Sequence, residues 1–300
     1  GGSNTDFEHF NHLSQVTDSL IDAGAVKDLI IVCPEGNRQH MMYFNTTKGK
    51  AGAPDWQYED YFFKELIPYI EKTYRVRTDK GGRAIAGFSM GGGAATVYGV
   101  HHPEKFSMVY DISGYLRRQP LDFLKNDPSA EWRQTTIADN NPITTVENGS
   151  EAQVKAWKQV DWNIRVGDHD FTLCANMDLA KAFRNQDIPF SMYVNDGAHD
   201  MKWVQPALVD AIKRANKNFE SLWIENGNRH IYGILSKPRY TGRKQPVAII
   251  AHGFNGTHAV GYSYFKTLND LGYQCYAFDF PCGSVYSRSD ANTMNMSVLD

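Results

Sequence analysis

The sequence predicts a doubly wound α/β fold with a mostly parallel sheet. Three observations predict it. Short β-rich apolar runs alternate with longer amphipathic stretches from the first residues to about position 220. Strands separated by helices imply βαβ units, hence a parallel sheet covered on both faces. The 300 residues, 42% of them hydrophobic and 22% charged, have the composition of a folded globule large enough for one or two cores.

In chain order, helical spacing marks Phe7–Ala23, and the apolar run Leu29–Cys33 reads as a strand. A second amphipathic stretch covers Tyr58–Tyr74, followed by the strand Arg83–Ala86 and the helix Met90–His101. The runs Met108–Ile112, Trp162–Val166 and Phe190–Val194 complete the strands of this part, with helices over Met177–Asn185 and Trp203–Phe219. The register restarts after Trp223, through the polar residues Glu225-Asn226-Gly227-Asn228. A strand over His230–Leu235, a turn-rich stretch over Lys237–Gln245, the strand Val247–Ala251, a helix over Tyr262–Leu271 and the strand Tyr273–Phe280 follow. The boundary is expected near residue 224, giving units of 1–224 and 225–300. Three strands and one helix are too few to cover a parallel sheet on both faces, so the second unit reads as the N-terminal fragment of another α/β module.

The balance of 31 basic against 34 acidic residues gives a net charge of −3, without the positive field that a nucleic acid partner requires. The longest apolar runs fall far short of the ~20 residues of a membrane span. The four cysteines have neither zinc-site spacing nor the density of a disulfide scaffold.

The chemistry concentrates at Gly87-Phe88-Ser89-Met90-Gly91. A predicted strand precedes this G-x-S-x-G motif and a predicted helix follows it, which is the context of a nucleophile elbow. The steric expectation is that Gly87 and Gly91 give the clearance a sharp turn needs, and that the Met90 N–H donates to a developing oxyanion. A serine needs a histidine base oriented by a carboxylate, in the chain order Ser, acid, His. His199, in the loop after the strand Phe190–Val194, is the expected base. The acid comes from Gly167-Asp168-His169-Asp170, with Asp170 favoured over Asp168, which is expected to accept turn N–H groups. Asp168, His169, Asp170, His199 and Asp200 are all metal-ligand types, yet no spaced metal motif is present and a metal leaves the elbow unexplained, so no metal is expected. Trp203, four residues after His199, is expected to line the site, with Asn37 and Arg38 as substrate contacts at the sheet's carboxyl edge. Trp56, Tyr58, Tyr61, Phe62, Trp157 and Trp162 read as core before they read as a binding platform.

Gly87-Phe88-Ser89-Met90-Gly91-Gly92, Tyr74-Arg75-Val76, Pro103-Glu104-Lys105-Phe106 and Gly197-Ala198-His199-Asp200 with Trp203 together resemble the esterase D-like α/β hydrolases. Within these, the sequence is most similar to the feruloyl and acetylxylan esterases of carbohydrate esterase family 1. The resemblance covers residues 1 to about 220. It implies an α/β-hydrolase fold and a serine esterase without cofactor, with Ser89, Asp170 and His199 at the triad positions. The implied substrate is a feruloyl- or acetyl-decorated plant polysaccharide such as xylan, met outside the cytoplasm by a secreted or periplasmic protein. It also implies that Leu29–Cys33 is a fourth strand, the first three and the second oxyanion donor being missing from this chain. S-formylglutathione hydrolases and mycolyltransferases share this skeleton, so a thioesterase, an acyltransferase and a non-catalytic carbohydrate-binding protein stand as alternatives. Residues 225–300, with His252-Gly253-Phe254-Asn255-Gly256 after a strand, resemble the opening of a second hydrolase of the cinnamoyl or feruloyl esterase kind. No G-x-S-x-G follows there, so no activity is assigned to that part.

Overall fold

A computed structural model of the chain describes residues 3–22, 26–36, 43–116, 126–215, 219–227, 229–237, 245–253, 256–281 and 287–290. Two compact units divide between Ala215 and Asn216. In the first, α1 (Asp6–Asn11) and α2 (Leu13–Asp22) are followed by α3 (Tyr58–Tyr61), a π-helical turn (Phe62–Leu66) and α4 (Ile67–Thr73). Then come β1 (Ala84–Phe88), α5 (Met90–His101), β2 (Met108–Ile112), α6 (Ala130–Asp139), α7 (Pro142–Glu147), α8 (Glu151–Trp157), β3 (Asp161–Gly167), α9 (Leu173–Asn185), β4 (Phe190–Asn195) and α10 (Met201–Ala215).

The four strands form one parallel sheet in the order β1-β2-β3-β4. Side chains alternate across it, so β2 serves both cores. Met108, Tyr110 and Ile112 pack with Val204, Ala207 and Ala211 of α10 on one face. Val109 lies on the other, among Ala95, Val97 and Tyr98 of α5, Trp162, Leu179 and Phe183. Helix α5 is buried from Gly92 to Val100, and it sits close because a Cβ at Gly99 would come within 2.4 Å of Val109 Cγ2. Trp157 and Trp162 are core: their indole N–H groups donate to the carbonyls of Val100 and Trp157, each at 2.9 Å. Tyr110 and Arg214 both bond Asp210, which pins α10 to the sheet.

Three expectations are corrected. The helix expected over Phe7–Ala23 breaks at His12, which takes a left-handed conformation (φ 51°). Leu29–Cys33 is not a strand, having no ladder partner among the described residues. Its Leu29 and Cys33 pack with the α2 and α10 cluster, while Ile30, Ile31 and Val32 are 40–48% exposed. The helix expected to reach Phe219 ends at Ala215, because Phe219 opens a strand of the second unit.

That unit contains β5 (Phe219–Asn226), β6 (Arg229–Ser236), β7 (Val247–Ile250), α11 (Tyr262–Asp270) and β8 (Gln274–Phe278). Strand β5 runs through the expected boundary at residue 224. The sheet order is β5-β6-β8-β7, antiparallel except for the parallel pair β7–β8. Tyr232, Ile234, Phe265, Cys275 and Ala277 form its core. His252 is built into the backbone here: Nδ1 donates to Gly253 O at 2.7 Å and Nε2 accepts from Phe280 N at 3.2 Å. Phe254 and Asn255, in the expected loop, lie outside the described residues.

The far end of α5 is held by a buried carboxylate. Glu59 Oε1 accepts from His101 Nδ1 and His102 Nε2, each at 2.9 Å. Burial pushes the Glu59 carboxyl up, and the two imidazole donors outweigh it, bringing the group down to about 2. A depressed carboxyl gives stability that is complete above its unfolded value near 4.5 and is lost as pH falls through the folded one. Glu59→Gln is therefore expected to cost about 3 kcal/mol at neutral pH and to flatten the loss of stability between about pH 4.5 and 2. Urea unfolding of both forms across that range checks it; parallel acid limbs would refute it.

Candidate active site

The site is built where β1, β3 and β4 end. Ser89 follows β1 and caps α5 with φ 57° and ψ −118°, a conformation that costs a non-glycine residue about 1–3 kcal/mol. Its backbone is held on three sides: Ser89 N donates to Ile112 O at 3.0 Å, and Ser89 O accepts from Gly93 N at 3.0 Å and Tyr115 N at 2.8 Å. A Cβ at Gly87 would fall 2.1 Å from Gly91 O, so glycine is required there. Gly91 itself has open space, which corrects the expectation for it. The second close approach is instead at Gly92, where a Cβ would meet Asp111 Oδ1, Gly114 Cα and Gly87 O within 3.0 Å. Met90 N lies in the first turn of α5, whose N–H groups have no partner within the helix.

His199 and Asp170 come from adjacent loops after β4 and β3. The two loops are locked together: Asp168 N donates to Asn195 O at 2.8 Å, His169 N to Gly197 O at 3.0 Å, and Gly197 N to Asp168 Oδ1 at 3.0 Å. That bond also holds the Asp168 carboxyl below its usual range. Gly167 is needed here, since a Cβ would come within 2.2 Å of Gly197 O. Asp168 thus shapes the turn, and Asp170 is the carboxylate that meets the histidine. His199 Nδ1 lies 2.9 Å from Asp170 Oδ2, and His199 Nε2 lies 2.8 Å from Ser89 Oγ.

The Asp170 side chain is fully buried and that of His199 is 19% exposed. Burial raises the Asp170 carboxyl, but donors outweigh it: Thr172 N and Thr172 Oγ1, each at 2.8 Å, and His199. The Ser113 hydroxyl faces the same carboxyl without a hydrogen bond of good geometry. The net effect is a lowered, ionised Asp170. An ionised Asp170 fixes the tautomer with hydrogen on Nδ1 and leaves Nε2 to accept the Ser89 proton, which is how a serine hydroxyl becomes a nucleophile.

Aromatic rings flank the histidine. Phe88 stacks on His199 at 4.7 Å, and Phe171 lies 4.4 Å from it, 60% exposed, with Tyr115 6.2 Å beyond. Sequence reading missed Phe171 and Tyr115; the one available signal was position, next to Asp170 and to the turn after β2. Trp203 is placed behind the His199 loop: a Cβ on Gly197 would meet its ring at 2.0 Å, and it packs with the α10 core. It supports the loop that carries His199. Asn37 and Arg38 lie outside the described residues. Among the described residues, Asp168, His169 and Asp196 have ligand-type atoms within 4.8 Å of one another, all exposed at loop tips. Also among these residues, no helix is long and apolar enough to cross a membrane.

A parallel α/β sheet with a serine at a strand-to-helix elbow, bonded to a histidine and through it to an aspartate, defines an α/β hydrolase. A family model named Esterase matches residues 2–215, and the chain belongs to that family. It is 34% identical over 114 residues, 38% of this chain, to an esterase of Mycobacterium tuberculosis. It is 32% identical over 99 residues, 33% of this chain, to an endo-1,4-beta-xylanase/feruloyl esterase of Xylanibacter ruminicola. These matches take in 23% and 13% of the relatives' own lengths, so the chain spans less than a quarter of either. The solved structure of a ferulic acid esterase superposes with a TM-score of 0.64 at 33% identity, covering 72% of this chain and 80% of that one. An S-formylglutathione hydrolase of Staphylococcus aureus shares the fold, with a TM-score of 0.58 at 20% identity and the same coverage.

The separate duties of the two aspartates give a test. Asp170→Asn is expected to lower kcat on p-nitrophenyl acetate by about 10³–10⁴, as loss of the tautomer-fixing carboxylate does. Asp168→Asn is expected to cost less than about tenfold, through a loosened turn. Equal losses in the two variants would contradict the assignment.

Proposed function

We propose that the chain is a serine carboxylic ester hydrolase that works through an acyl-enzyme and releases feruloyl or acetyl groups from plant cell-wall polysaccharide such as xylan. The observation that carries this reading is the unbroken hydrogen-bonded line from Ser89 through His199 to Asp170 at the carboxyl edge of the sheet. Ser89 Oγ attacks the ester carbonyl as its proton passes to His199 Nε2. The Met90 N–H bonds the oxyanion, and His199 returns the proton to the leaving sugar hydroxyl. Water then repeats the sequence on the acyl-enzyme. No cofactor is needed for these steps.

Phe171 and Tyr115 support an aromatic acyl group over acetyl. An exposed phenylalanine beside a catalytic histidine offers a planar ring an apolar edge to pack on, worth about 0.5–1.5 kcal/mol beyond area burial. The ferulic acid esterase likeness supports the same substrate class. A polymeric substrate does not cross membranes, so this reading places the reaction outside the cytoplasm.

Hydrolysis of methyl ferulate, p-nitrophenyl acetate and a glutathione thioester, compared between the chain and Ser89→Ala, tests the function. Ester turnover lost in Ser89→Ala is expected; preference for the thioester would replace this reading with a formylglutathione hydrolase-like one. Ferulate transfer to an added sugar acceptor, outrunning hydrolysis, would make it an acyltransferase. Phe171→Ala is expected to lower the ratio of kcat/KM for methyl ferulate to that for p-nitrophenyl acetate by about fivefold. An unaltered ratio would remove Phe171 from acyl selection.

A further inference from the structure

A second carboxyl, used by none of these steps, is buried directly behind the elbow. Asp111 sits in β2, paired in register with Gly87 of β1 and Ile164 of β3, and is 1% exposed. By strand alternation it points to the α5 face, the side of β2 on which Val109 meets that helix. Asp111 Oδ2 accepts from Thr96 Oγ1 of α5 at 2.8 Å. Asp111 Oδ1 is buried without a hydrogen bond of good geometry, with the Gly114 N–H facing the carboxyl. Both oxygens press on the turn after β2: a Cβ at Gly114 would lie 2.2 Å from each. The point where a Gly92 Cβ would stand lies 2.7 Å from Asp111 Oδ1, 2.9 Å from Gly114 Cα and 3.0 Å from Gly87 O. The carboxyl therefore fills the junction of three segments: the end of β1, the first turn of α5 and the turn after β2. Two of those segments supply bonds that hold the Ser89 backbone, through Gly93 N of α5 and Tyr115 N of the turn.

We propose that Asp111 is the positioning residue for the nucleophile, its carboxyl clamping the first turn of α5 to the Ser113–Tyr115 turn behind Ser89. The proposal rests on Ser89 being the nucleophile. A buried acceptor without a well-formed hydrogen bond is expensive, and an ionised one is more so. Protonation removes the charge and turns one carboxyl oxygen into a donor. The groups facing Asp111 agree with an uncharged acid. Burial and the nearby Asp170 anion raise its carboxyl to about 7, against the smaller opposing effects of the Thr96 hydroxyl and the Gly114 N–H. Asparagine reproduces the uncharged form, with an oxygen for Thr96 and an N–H in place of the acid proton. Alanine reproduces neither.

The test is the rate at which a fluorophosphonate probe labels Ser89 in the full chain, measured for wild type, Asp111→Asn and Asp111→Ala at about pH 6 and pH 8.5. Thermal melting checks folding. A chain that is not labelled at all overturns the nucleophile reading, and this proposal with it. Given labelling, Asp111→Ala is expected to slow it about tenfold or more at pH 6, as small displacements of reacting groups do. Asp111→Asn is expected to restore the rate to within about threefold of wild type at pH 6. The Asn-to-wild-type ratio is expected to rise about threefold or more towards pH 8.5, because only the aspartate ionises. Labelling of Asp111→Ala at the wild-type rate overturns the proposal alone, as does an Asn variant as slow as Ala. If Asp111→Ala does not fold, the ratio decides: a ratio that does not change with pH overturns the clamp.

Discussion

The site depends on one backbone constraint: Ser89 holds φ 57° and ψ −118° where the chain turns from strand into helix. Nothing intrinsic to serine favours that conformation, so the surroundings must over-determine it. They do so with the three backbone hydrogen bonds to Ser89, to the last residue of β2, to the first turn of α5 and to the turn after β2. They also require Gly87 and Gly92, where any side chain would collide with backbone or with Asp111. The burial of α5 from Gly92 to Val100 makes the strain affordable, because releasing the elbow means pulling that helix off the sheet. The Glu59 bridge to His101 and His102 holds the opposite end of the same helix.

Electrostatics divides two buried aspartates, Asp111 within β2 and Asp170 in the loop after β3. Asp170 has Thr172 N–H, the Thr172 hydroxyl and the His199 ring directed at it, so the ionised form wins despite burial. Asp111 has the Thr96 hydroxyl bonded at Oδ2 and the Gly114 N–H facing it, and burial wins. The same residue type thus sits as an anion in one place and favours the neutral acid in the other. The count of donors decides which. An ionised neighbour also raises the cost of ionising the second, so the charge on Asp170 helps keep Asp111 neutral.

How much of this was legible in the sequence follows from the range of the interactions involved. The elbow was legible because its signal is local: five residues, a strand before and a helix after. The division between Asp168 and Asp170 followed from turn geometry within four residues. Gly91 and Gly92 were not separable, since the atoms that require Gly92 belong to Asp111 and Gly114, about twenty residues on. Leu29–Cys33 has the composition of a strand, but a strand is a pairing, and composition does not name a partner. The strand Phe219–Asn226 was missed because its Leu222 and Ile224 are partly exposed and only its pairing with the Arg229–Ser236 strand defines it. Asp111 gave no signal, being one polar residue in an otherwise apolar run. Its meaning comes from Thr96 and Gly114 in space.

The same distinction explains why the reaction class is better determined than the substrate. Catalytic geometry is written in buried or backbone-bonded groups, each fixed by several others: Gly167 against Gly197, Asp168 to Gly197 N, Trp203 behind the loop. Changing any one disturbs the rest, so the arrangement is highly specified. Acyl selection rests on groups such as Phe171, which is more than half exposed and makes ring contacts only to His199 and Tyr115 among the described residues. Such a side chain can be exchanged at little cost to the fold. A single scaffold can therefore keep the Ser89 chemistry while its rim is altered from one acyl group to another. The proposed preference for an aromatic acyl group rests on this exchangeable rim, with two adjacent rings beside the histidine, and not on the buried geometry behind it.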